Sequence, residues 1–322
     1  MKFEQIRALI GEDLAAVNET IRRRLASDVV LIDQISRHII HSGGKRLRPM
    51  LVLLCARACD YKGNQHIPAA AIIEFIHTAT LLHDDVVDAS TLRRGSQTAN
   101  SLWGNQASVL VGDFLYSRSF QMMVNIGSMR VMEVLADATN TIAEGEVLQL
   151  INCHEPETTE EQYLKVIYRK TAKLFEAGGQ ISAILADQSH SIEQALTSYG
   201  TNLGTAFQLI DDVLDYSASP AETGKNLGDD LAEGKPTLPL IYAMRKGTRA
   251  QREMIAEAIE TGGLDRLKEI TAAVESTGAI HYTAQLARAR AEAALDALTE
   301  LPESIYKDGL NALTEFAVER TH

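Results

Sequence analysis

The chain has 322 residues and carries 43 Asp and Glu against 31 Lys and Arg, which gives a formal net charge of −12 at pH 7. This acidic balance argues against a broad nucleic-acid-binding surface, although it leaves room for a local basic pocket. The N-terminus shows no apolar signal segment and no apolar run reaches membrane-span length, so we expect a cytoplasmic protein. The three cysteines, Cys55, Cys59 and Cys153, complete no zinc pattern and are expected to be buried, reduced thiols.

The N-terminal part predicts helices followed by a basic turn. Apolar residues recur at three-to-four spacing through residues 1–40. The helix then breaks at Gly43-Gly44-Lys45-Arg46-Leu47-Arg48-Pro49, where Pro49 is expected to open the next helix. Three cations beside two glycines suit an oxygen-rich anion, because arginine can bind phosphate through two parallel hydrogen bonds. A solvated basic turn is the structural alternative.

Two apolar helices follow, over Met50–Cys59 and Ile67–His83, and the second runs into His83-Asp84-Asp85-Val86-Val87-Asp88. On a helix, Asp84 and Asp88 lie on one face. Carboxylates held this close repel unless something neutralises them, and Mg²⁺ commonly joins one or two carboxylates to substrate phosphates. An acidic helix end would explain a single such cluster equally well. His77 precedes Asp84 by about two turns, and a lone histidine there is usually a core residue.

The middle of the chain predicts further helices. Arg93 and Arg94 follow the acidic cluster, and Ser96–Asn105 is expected to be a loop. Helices are then predicted over Ala107–Ile126 and Val131–Leu150. Met122 and Met123 could pack in the core or close an apolar tunnel. The polar positions Glu144, Glu146 and Gln149 suggest no role.

A second copy of the acidic pattern lies further along. After an acidic loop in which Thr158 or Thr159 could cap the next helix, helices are predicted over Tyr163–Ala186 and Gly200–Leu214. The latter leads into Asp211-Asp212-Val213-Leu214-Asp215, with the spacing of the first cluster. Two such clusters after apolar helices are hard to ascribe to solvated surface. Together they could hold several cations around one diphosphate.

The C-terminal third contains fewer recognisable motifs. Ser217–Lys235 is expected to be a loop, and long irregular segments are often functional lids. Residues 240–322 alternate helical patterns with short breaks and carry no motif. There is neither a P-loop nor a dinucleotide fingerprint. Strand-like alternation is rare and no linker divides the chain, so we predict an all-α protein with one domain over residues 1–322.

The two Asp-Asp-x-x-Asp clusters and the Gly43–Pro49 segment together resemble the trans-isoprenyl diphosphate synthases, and most of all their long-chain bacterial members. The resemblance covers about Gly43 to Pro239. It implies an isoprenoid-synthase-type helical bundle around a central cavity, assembled as a homodimer. It also implies a Mg²⁺-dependent prenyltransferase that adds isopentenyl diphosphate to an allylic diphosphate, expected to be farnesyl diphosphate. The expected product is long, octaprenyl diphosphate, for a quinone side chain such as that of ubiquinone.

The resemblance also assigns roles to single residues. The magnesium ligands would be Asp84, Asp85, Asp88, Asp211, Asp212 and Asp215. Isopentenyl diphosphate would contact Lys45, Arg48, His77 and Arg94. The allylic diphosphate would contact Arg93, Lys170, Thr171 and Gln208, with Lys225 and Lys235 holding the leaving diphosphate. The residues expected to be catalytic are Asp84, Asp88, Asp211, Asp215, Lys170 and Lys225.

Product length is expected to depend on the path of the growing tail. Ala79 and Thr80 lie about one turn before Asp84 and are small, so they would leave a tunnel open. Met122 and Met123 are the candidates for its floor. Three alternatives remain: a shorter-chain synthase, a terpene cyclase and a non-catalytic prenyltransferase subunit. The intact second cluster and the Lys45–Arg48 stretch count against the last two.

Overall fold

The structure is a computed structural model that describes residues 1–41, 43–93, 95–217 and 228–319. Its contacts divide the chain into two compact units. The first comprises Met1–Thr139, Leu174–Gly200 and Ala297–Leu313. The second comprises Asn140–Lys173, Thr201–Asp296 and Thr314–His322. The first aspartate cluster belongs to the first unit and the second cluster to the second unit.

The prediction of an all-α fold is confirmed, because the described chain is helical apart from one short hairpin. From the N-terminus to the hairpin and beyond, the elements are α1 (Phe3–Leu9), α2 (Gly11–Leu25), α3 (Val30–His41), α4 (Leu47–Ala58), α5 (His66–Val87), β1 (Leu92–Arg93), β2 (Ser96–Gln97), α6 (Ala99–Trp103), α7 (Asn105–Ile126) and α8 (Met129–Asn152). Next come α9 (Glu160–Ile167), a π-helical turn (Tyr168–Ala172), α10 (Lys173–Leu185) and α11 (His190–Ser217). The remaining elements are α12 (Asp229–Ala232), α13 (Leu238–Lys246), α14 (Arg249–Thr261), α15 (Leu267–Ser276), α16 (Ala279–Ala297), a 3₁₀ turn (Leu298–Glu300) and α17 (Ile305–Val318).

The core of the first unit is built on α4 and α5, which are buried on nearly all sides. Helix α4 begins at Leu47, so Pro49 lies in its first turn instead of opening it. Proline is tolerated there because the first-turn N–H groups have no partner within the helix. Helix α5 packs against α7. Cys55, on α4, and Cys59, which caps that helix, are buried free thiols as predicted, whereas Cys153 is only half-buried.

The second unit has two apolar clusters that support the second aspartate cluster. One contains Leu209 and Ile210 of α11 with Tyr163 and Ile167 of α9. The other surrounds Tyr216, at the end of α11, and draws mainly on α13, α14 and α15. Thr159 caps α9, since its hydroxyl accepts a hydrogen bond from the Gln162 N–H. The cap fixes where α9 starts and thus where its Tyr163 lies.

No helix in the described part of the chain is long and apolar enough to cross a membrane.

Candidate active site

The first aspartate cluster forms the last turn of α5. Asp84 and Asp85 are helical, and Asp88 caps the helix by donating its backbone N–H to the Asp84 carbonyl at 2.8 Å. Asp84 and Asp88 are half-buried and one turn apart on one face. Their carboxylates therefore lie on the same side of the helix end, as the spacing predicts.

Asp85 points elsewhere and is only 4% exposed. Its Oδ1 accepts a hydrogen bond from Arg93 Nε at 2.6 Å. Burial raises the pKa of Asp85 and the neighbouring Asp84 and Asp88 add to this, whereas Arg93 acts in the opposite direction. The arginine expected to contact the allylic diphosphate therefore forms an ion pair with the middle aspartate of the cluster.

The segment after α5 is more ordered than predicted. The expectation of a loop over Ser96–Asn105 is wrong, because this stretch contains β2 and α6. The β1–β2 hairpin pairs Arg93 with Ser96. Asn100 Nδ2 donates to the carbonyls of Asp85 at 2.9 Å and Ser90 at 3.1 Å. These two bonds connect α6, which follows the hairpin, to the end of α5 and the residues just after it.

Two predicted isopentenyl diphosphate residues lie together. Arg48 Nη1 lies 3.2 Å from His77 Nε2, and the Arg48 guanidinium stacks 4.5 Å above the centre of the Phe175 ring. Because guanidinium nitrogens only donate, His77 Nε2 is the acceptor in this contact. Arg48 of α4 thus contacts both α5 and α10, and these two contacts orient its guanidinium before any substrate binds.

The other two cations of the basic turn differ from each other. Arg46 forms an ion pair with Glu74, a buried residue of α5. Arg46 also has a left-handed backbone, with φ 56°. Arg46 therefore anchors the turn, and Lys45 next to it is exposed.

The predicted chain-length residues lie on the packed pair α5 and α7. Ala79, Met122 and Met123 are almost fully buried, while Thr80 is half-buried and donates its hydroxyl to the His77 carbonyl at 2.7 Å. Ser108, near the start of α7, donates to the Leu82 carbonyl, close to the end of α5 that carries the aspartates.

At the opposite end of α5, Met122 lines a cavity of about 360 Å³ together with Ile67 and Pro68. Helices α5 and α7 therefore run antiparallel. Met122 lies at the end of the pair that is remote from Asp84, where the floor of a tunnel is expected.

The second aspartate cluster lies within α11, and its middle aspartate is again held by the protein. Asp212 is 2% exposed and accepts hydrogen bonds from the buried Tyr163 hydroxyl and from Gln208 Nε2, the latter at 2.8 Å. Burial, followed by the negative charge of Asp230, raises the pKa of Asp212 well above that of a solvated aspartate. Thr171 Oγ1 donates to Gln208 Oε1 at 3.0 Å, so two predicted allylic-diphosphate residues belong to the same hydrogen-bond chain.

Lys170 and Thr171 lie in the π-helical turn between α9 and α10, and such turns often occur at functional sites. The turn packs tightly on α8, since a Cβ atom at Gly145 would lie 2.8 Å from the Lys170 backbone nitrogen. Lys170 Nζ donates to Glu146 Oε2 at 2.5 Å and to Gln149 Oε1 at 2.7 Å. The lysine is thus fixed by two α8 side chains to which the sequence suggested no role.

The predicted loop Ser217–Lys235 is described only in part. Lys235 pairs with Glu233, and its backbone N–H donates to the Asp230 carbonyl at 2.8 Å. The short helix α12 occupies part of the expected loop. Lys225, and Arg94 of the first unit, lie outside the described residues.

The aspartates fit a hard divalent cation only if waters and substrate phosphates supply its remaining ligands. Within the ranges described, no group of three or more His, Cys, Asp or Glu side chains is arranged to enclose a metal ion. Mg²⁺ needs no such cage, because it usually keeps waters and binds one or two carboxylates plus substrate phosphates. The half-buried outer aspartates Asp84, Asp88 and Asp211 suit this mode. The middle aspartates, already held by Arg93 or Tyr163, suit it less.

Sequence reasoning missed Tyr163, Glu146, Gln149 and the anchoring role of Arg46. A weak signal existed for two of them, since Glu146 and Gln149 are polar and nearly one turn apart on a helix with many apolar residues. Nothing local marked Tyr163, because its partner is 49 residues away.

Comparison with known proteins extends these observations over the whole chain. The family described as polyprenyl synthetase matches residues 29–276. The octaprenyl diphosphate synthase of Escherichia coli (strain K12) is 54% identical, and the match covers 99% of each chain. A nonaprenyl-diphosphate synthase of Rhodobacter capsulatus, described as geranyl-diphosphate specific, is 46% identical with 98% of each chain covered.

A crystal structure agrees with the sequence matches. The polyprenyl synthase of Caulobacter crescentus CB15, solved with calcium and isoprenyl diphosphate, has a TM-score of 0.96 and 42% identity, covering 100% of this chain and 98% of its own. The match to the family spans most of the chain and includes both aspartate clusters. This chain therefore belongs to the polyprenyl synthetase family and is a chain-elongating prenyltransferase.

Proposed function

We propose that this protein synthesises octaprenyl diphosphate by adding isopentenyl diphosphate units to farnesyl diphosphate. The observation that carries the proposal is the state of the two motifs. Each is complete and has its middle aspartate held by the protein, beside half-buried outer aspartates suited to a cation: Asp84 and Asp88 in the first motif and Asp211 in the second. The full-length identity to octaprenyl diphosphate synthases supports the product length.

Magnesium ions bound at the outer aspartates would act as Lewis acids and neutralise the charge that develops on the departing diphosphate. Asp84 and Asp88 would hold such ions in the first unit, and Asp211 and Asp215 in the second. Asp85 and Asp212 would orient their neighbours through Arg93 and Tyr163, as groups behind metal ligands commonly do. We propose several ions per active site, because two complete motifs are present.

Isopentenyl diphosphate would be bound through the basic turn and α5. Arg48 is oriented by Phe175 and His77, so its guanidinium loses little conformational freedom when it binds a phosphate. Lys45 is exposed beside it and can follow a mobile diphosphate. Arg94 is proposed as a further contact from its position in the motif.

The allylic diphosphate would be bound by the residues that the family motif assigns to it, Arg93, Lys170, Thr171 and Gln208. Fixed positive charge at this point stabilises the leaving group without reorganisation. Lys225 and Lys235 are proposed to hold the diphosphate as it leaves.

The residues are suited to an ionisation mechanism. The allylic C–O bond breaks and its electron pair leaves with the diphosphate. The double bond of isopentenyl diphosphate then attacks the allylic carbocation, forming the new C–C bond. A proton lost to the released diphosphate restores a double bond in a chain five carbons longer. No side-chain nucleophile is needed, and apolar walls such as Ala79 would exclude water.

A shorter-chain product is the second candidate, and the small residues Ala79 and Thr80 disfavour it. We further propose a cytoplasmic homodimer whose product supplies a quinone side chain.

The test is incorporation of radiolabelled isopentenyl diphosphate by the purified chain alone, with farnesyl diphosphate and Mg²⁺. We expect an extractable, elongated product that disappears in EDTA. Cyclic hydrocarbon without incorporation would identify a terpene cyclase. Activity only after a second protein is added would identify a non-catalytic subunit. Near-normal turnover in EDTA would exclude the proposed metal dependence.

A further inference from the structure

Lys170 is held by an acidic residue of α8 that the mechanism above does not use. Glu146 and Gln149 contact the same ammonium group, at 2.5 and 2.7 Å. The Lys170 and Glu146 side chains are 19% and 28% exposed, so the pair is only partly screened by water. A carboxylate at a position expected to meet a diphosphate is unusual, because it repels the anion that the lysine attracts.

The backbone makes this contact hard to avoid. Gly145 brings α8 so close to the π-helical turn that a Cβ atom there would lie 2.8 Å from both Arg169 Cβ and the Lys170 nitrogen. Glu146 follows directly, so its carboxylate is brought close to Lys170. An ammonium has three donors, and Glu146 and Gln149 account for two of them. A diphosphate oxygen that reaches Lys170 Nζ must therefore share the group with Glu146 or displace it.

We propose that Glu146 is a positioning residue that acts through Lys170 and lowers the affinity of the site for diphosphate. This inference rests on the proposed role of Lys170 in binding the allylic diphosphate. Its functional consequence is faster release of the inorganic diphosphate that each elongation cycle leaves behind. An enzyme that must release this product after every addition benefits from a lysine that is already partly neutralised.

The neighbouring residues supply a matched control. Arg169, adjacent to Lys170, forms an ion pair with Glu144, two residues before Glu146 on α8. The Glu144 side chain is 54% exposed, and Arg169 is not among the expected diphosphate contacts. Glu144→Gln therefore makes the same chemical change on the same helix without altering the charge beside Lys170.

The experiment measures binding of inorganic diphosphate to the full chain in the presence of Mg²⁺, by isothermal titration calorimetry. The variants are Glu146→Gln, Glu144→Gln and Lys170→Ala. Glutamine keeps the shape of glutamate and can still accept a hydrogen bond from Lys170. We expect Glu146→Gln to tighten binding by about three- to tenfold, because one negative charge leaves a partly exposed site. Glu144→Gln should leave the Kd within about twofold, and Lys170→Ala should weaken binding.

Steady-state kinetics provide a second readout. Glu146→Gln should lower KM for the allylic substrate and also lower kcat, since release of inorganic diphosphate slows. Damage to the fold could not tighten binding. Unchanged or weaker diphosphate binding in Glu146→Gln, with weaker binding in Lys170→Ala, would overturn this inference alone. Unchanged binding in Lys170→Ala would overturn the proposed role of Lys170 as well.

Discussion

Within each aspartate motif, position along the helix decides what a carboxylate contacts. Successive helical residues are rotated by about 100°, so the second aspartate points about 100° away from the first, whereas the first and the last lie within about 40° of each other. Asp85 and Asp212 are accordingly buried against protein donors, whereas Asp84 and Asp88 share a more open face. The spacing predicts which pair lies together. It does not predict the partners Arg93 and Tyr163, which tertiary packing supplies.

The two substrate sites should be separable by single substitutions. Arg48→Ala should chiefly raise KM for isopentenyl diphosphate, because it removes the guanidinium oriented by His77 and Phe175. Lys170→Ala should chiefly raise KM for the allylic diphosphate. We expect changes of about tenfold or more, since a lost charge-assisted hydrogen bond is worth about 1.5–3 kcal/mol. Initial rates with each substrate varied in turn measure both constants, and the reverse pattern would refute the assignment.

At the scale of single elements, the least predictable feature is the π-helical turn over Tyr168–Ala172. The sequence predicts one continuous helix over Tyr163–Ala186, and nothing in local propensity marks the extra residue of a π turn. The close packing at Gly145 explains why the glycine is needed. The end of α5 was easier to predict, since the apolar run and the aspartate spacing both indicate it.

Gly145→Ala should disturb this turn. The added methyl group meets backbone at 2.8 Å, so either α8 or the turn must shift. We expect a loss of stability of about 1–3 kcal/mol together with a higher KM for the allylic substrate. Thermal unfolding and kinetics measure the two effects. Gly11→Ala is the control, because a Cβ atom there meets nothing within 4 Å. If Gly145→Ala has the thermal stability and the allylic-substrate KM of the wild type, the π-helical turn does not depend on its close packing against Gly145.

The α5–α7 pair should set the length of the product. Ala79→Tyr should shorten the products, because a ring at this fully buried position overfills the expected tunnel. Met123→Ala should lengthen them by removing the floor while leaving the first condensation largely intact. Chromatography of the dephosphorylated products reads both changes.

The exposed Met129 on α8 supplies a control, and Met129→Ala should give wild-type products. If neither Met123→Ala nor Met122→Ala changes the distribution, the floor lies elsewhere and this assignment is wrong.

For the molecule as a whole, composition and periodicity predicted an all-α fold, because the three-to-four spacing of apolar residues that marks a helix can be read directly from the sequence. The two compact units into which the contacts divide the chain could not be predicted from the sequence. Helices α8 and α11 each contribute to both units, so no linker marks a boundary. The prediction of one domain remains a prediction. The small hairpin after α5 was missed because its strands contain only two residues each.

The proposed homodimer has a candidate surface on α7. Leu110 and Val124 are 67% and 64% exposed and lie about four turns apart on the same face. Exposed apolar patches commonly mark interfaces. We expect light scattering after gel filtration to show a dimer for the wild type and a monomer for the double variant Leu110→Glu, Val124→Glu. Ile305→Glu, at an exposed residue of α17, should remain dimeric. A wild-type monomer, or a dimeric double variant, would contradict this surface.

The most direct test of the account is the mass of the product that the purified chain makes from farnesyl diphosphate, isopentenyl diphosphate and Mg²⁺. Mass spectrometry of the dephosphorylated alcohols should show one main species with eight isoprene units. It should vanish in Asp84→Ala and Asp211→Ala, while both variants retain the wild-type helical content. A main product of farnesyl or geranylgeranyl length, or elongation that survives both aspartate substitutions, would contradict the account.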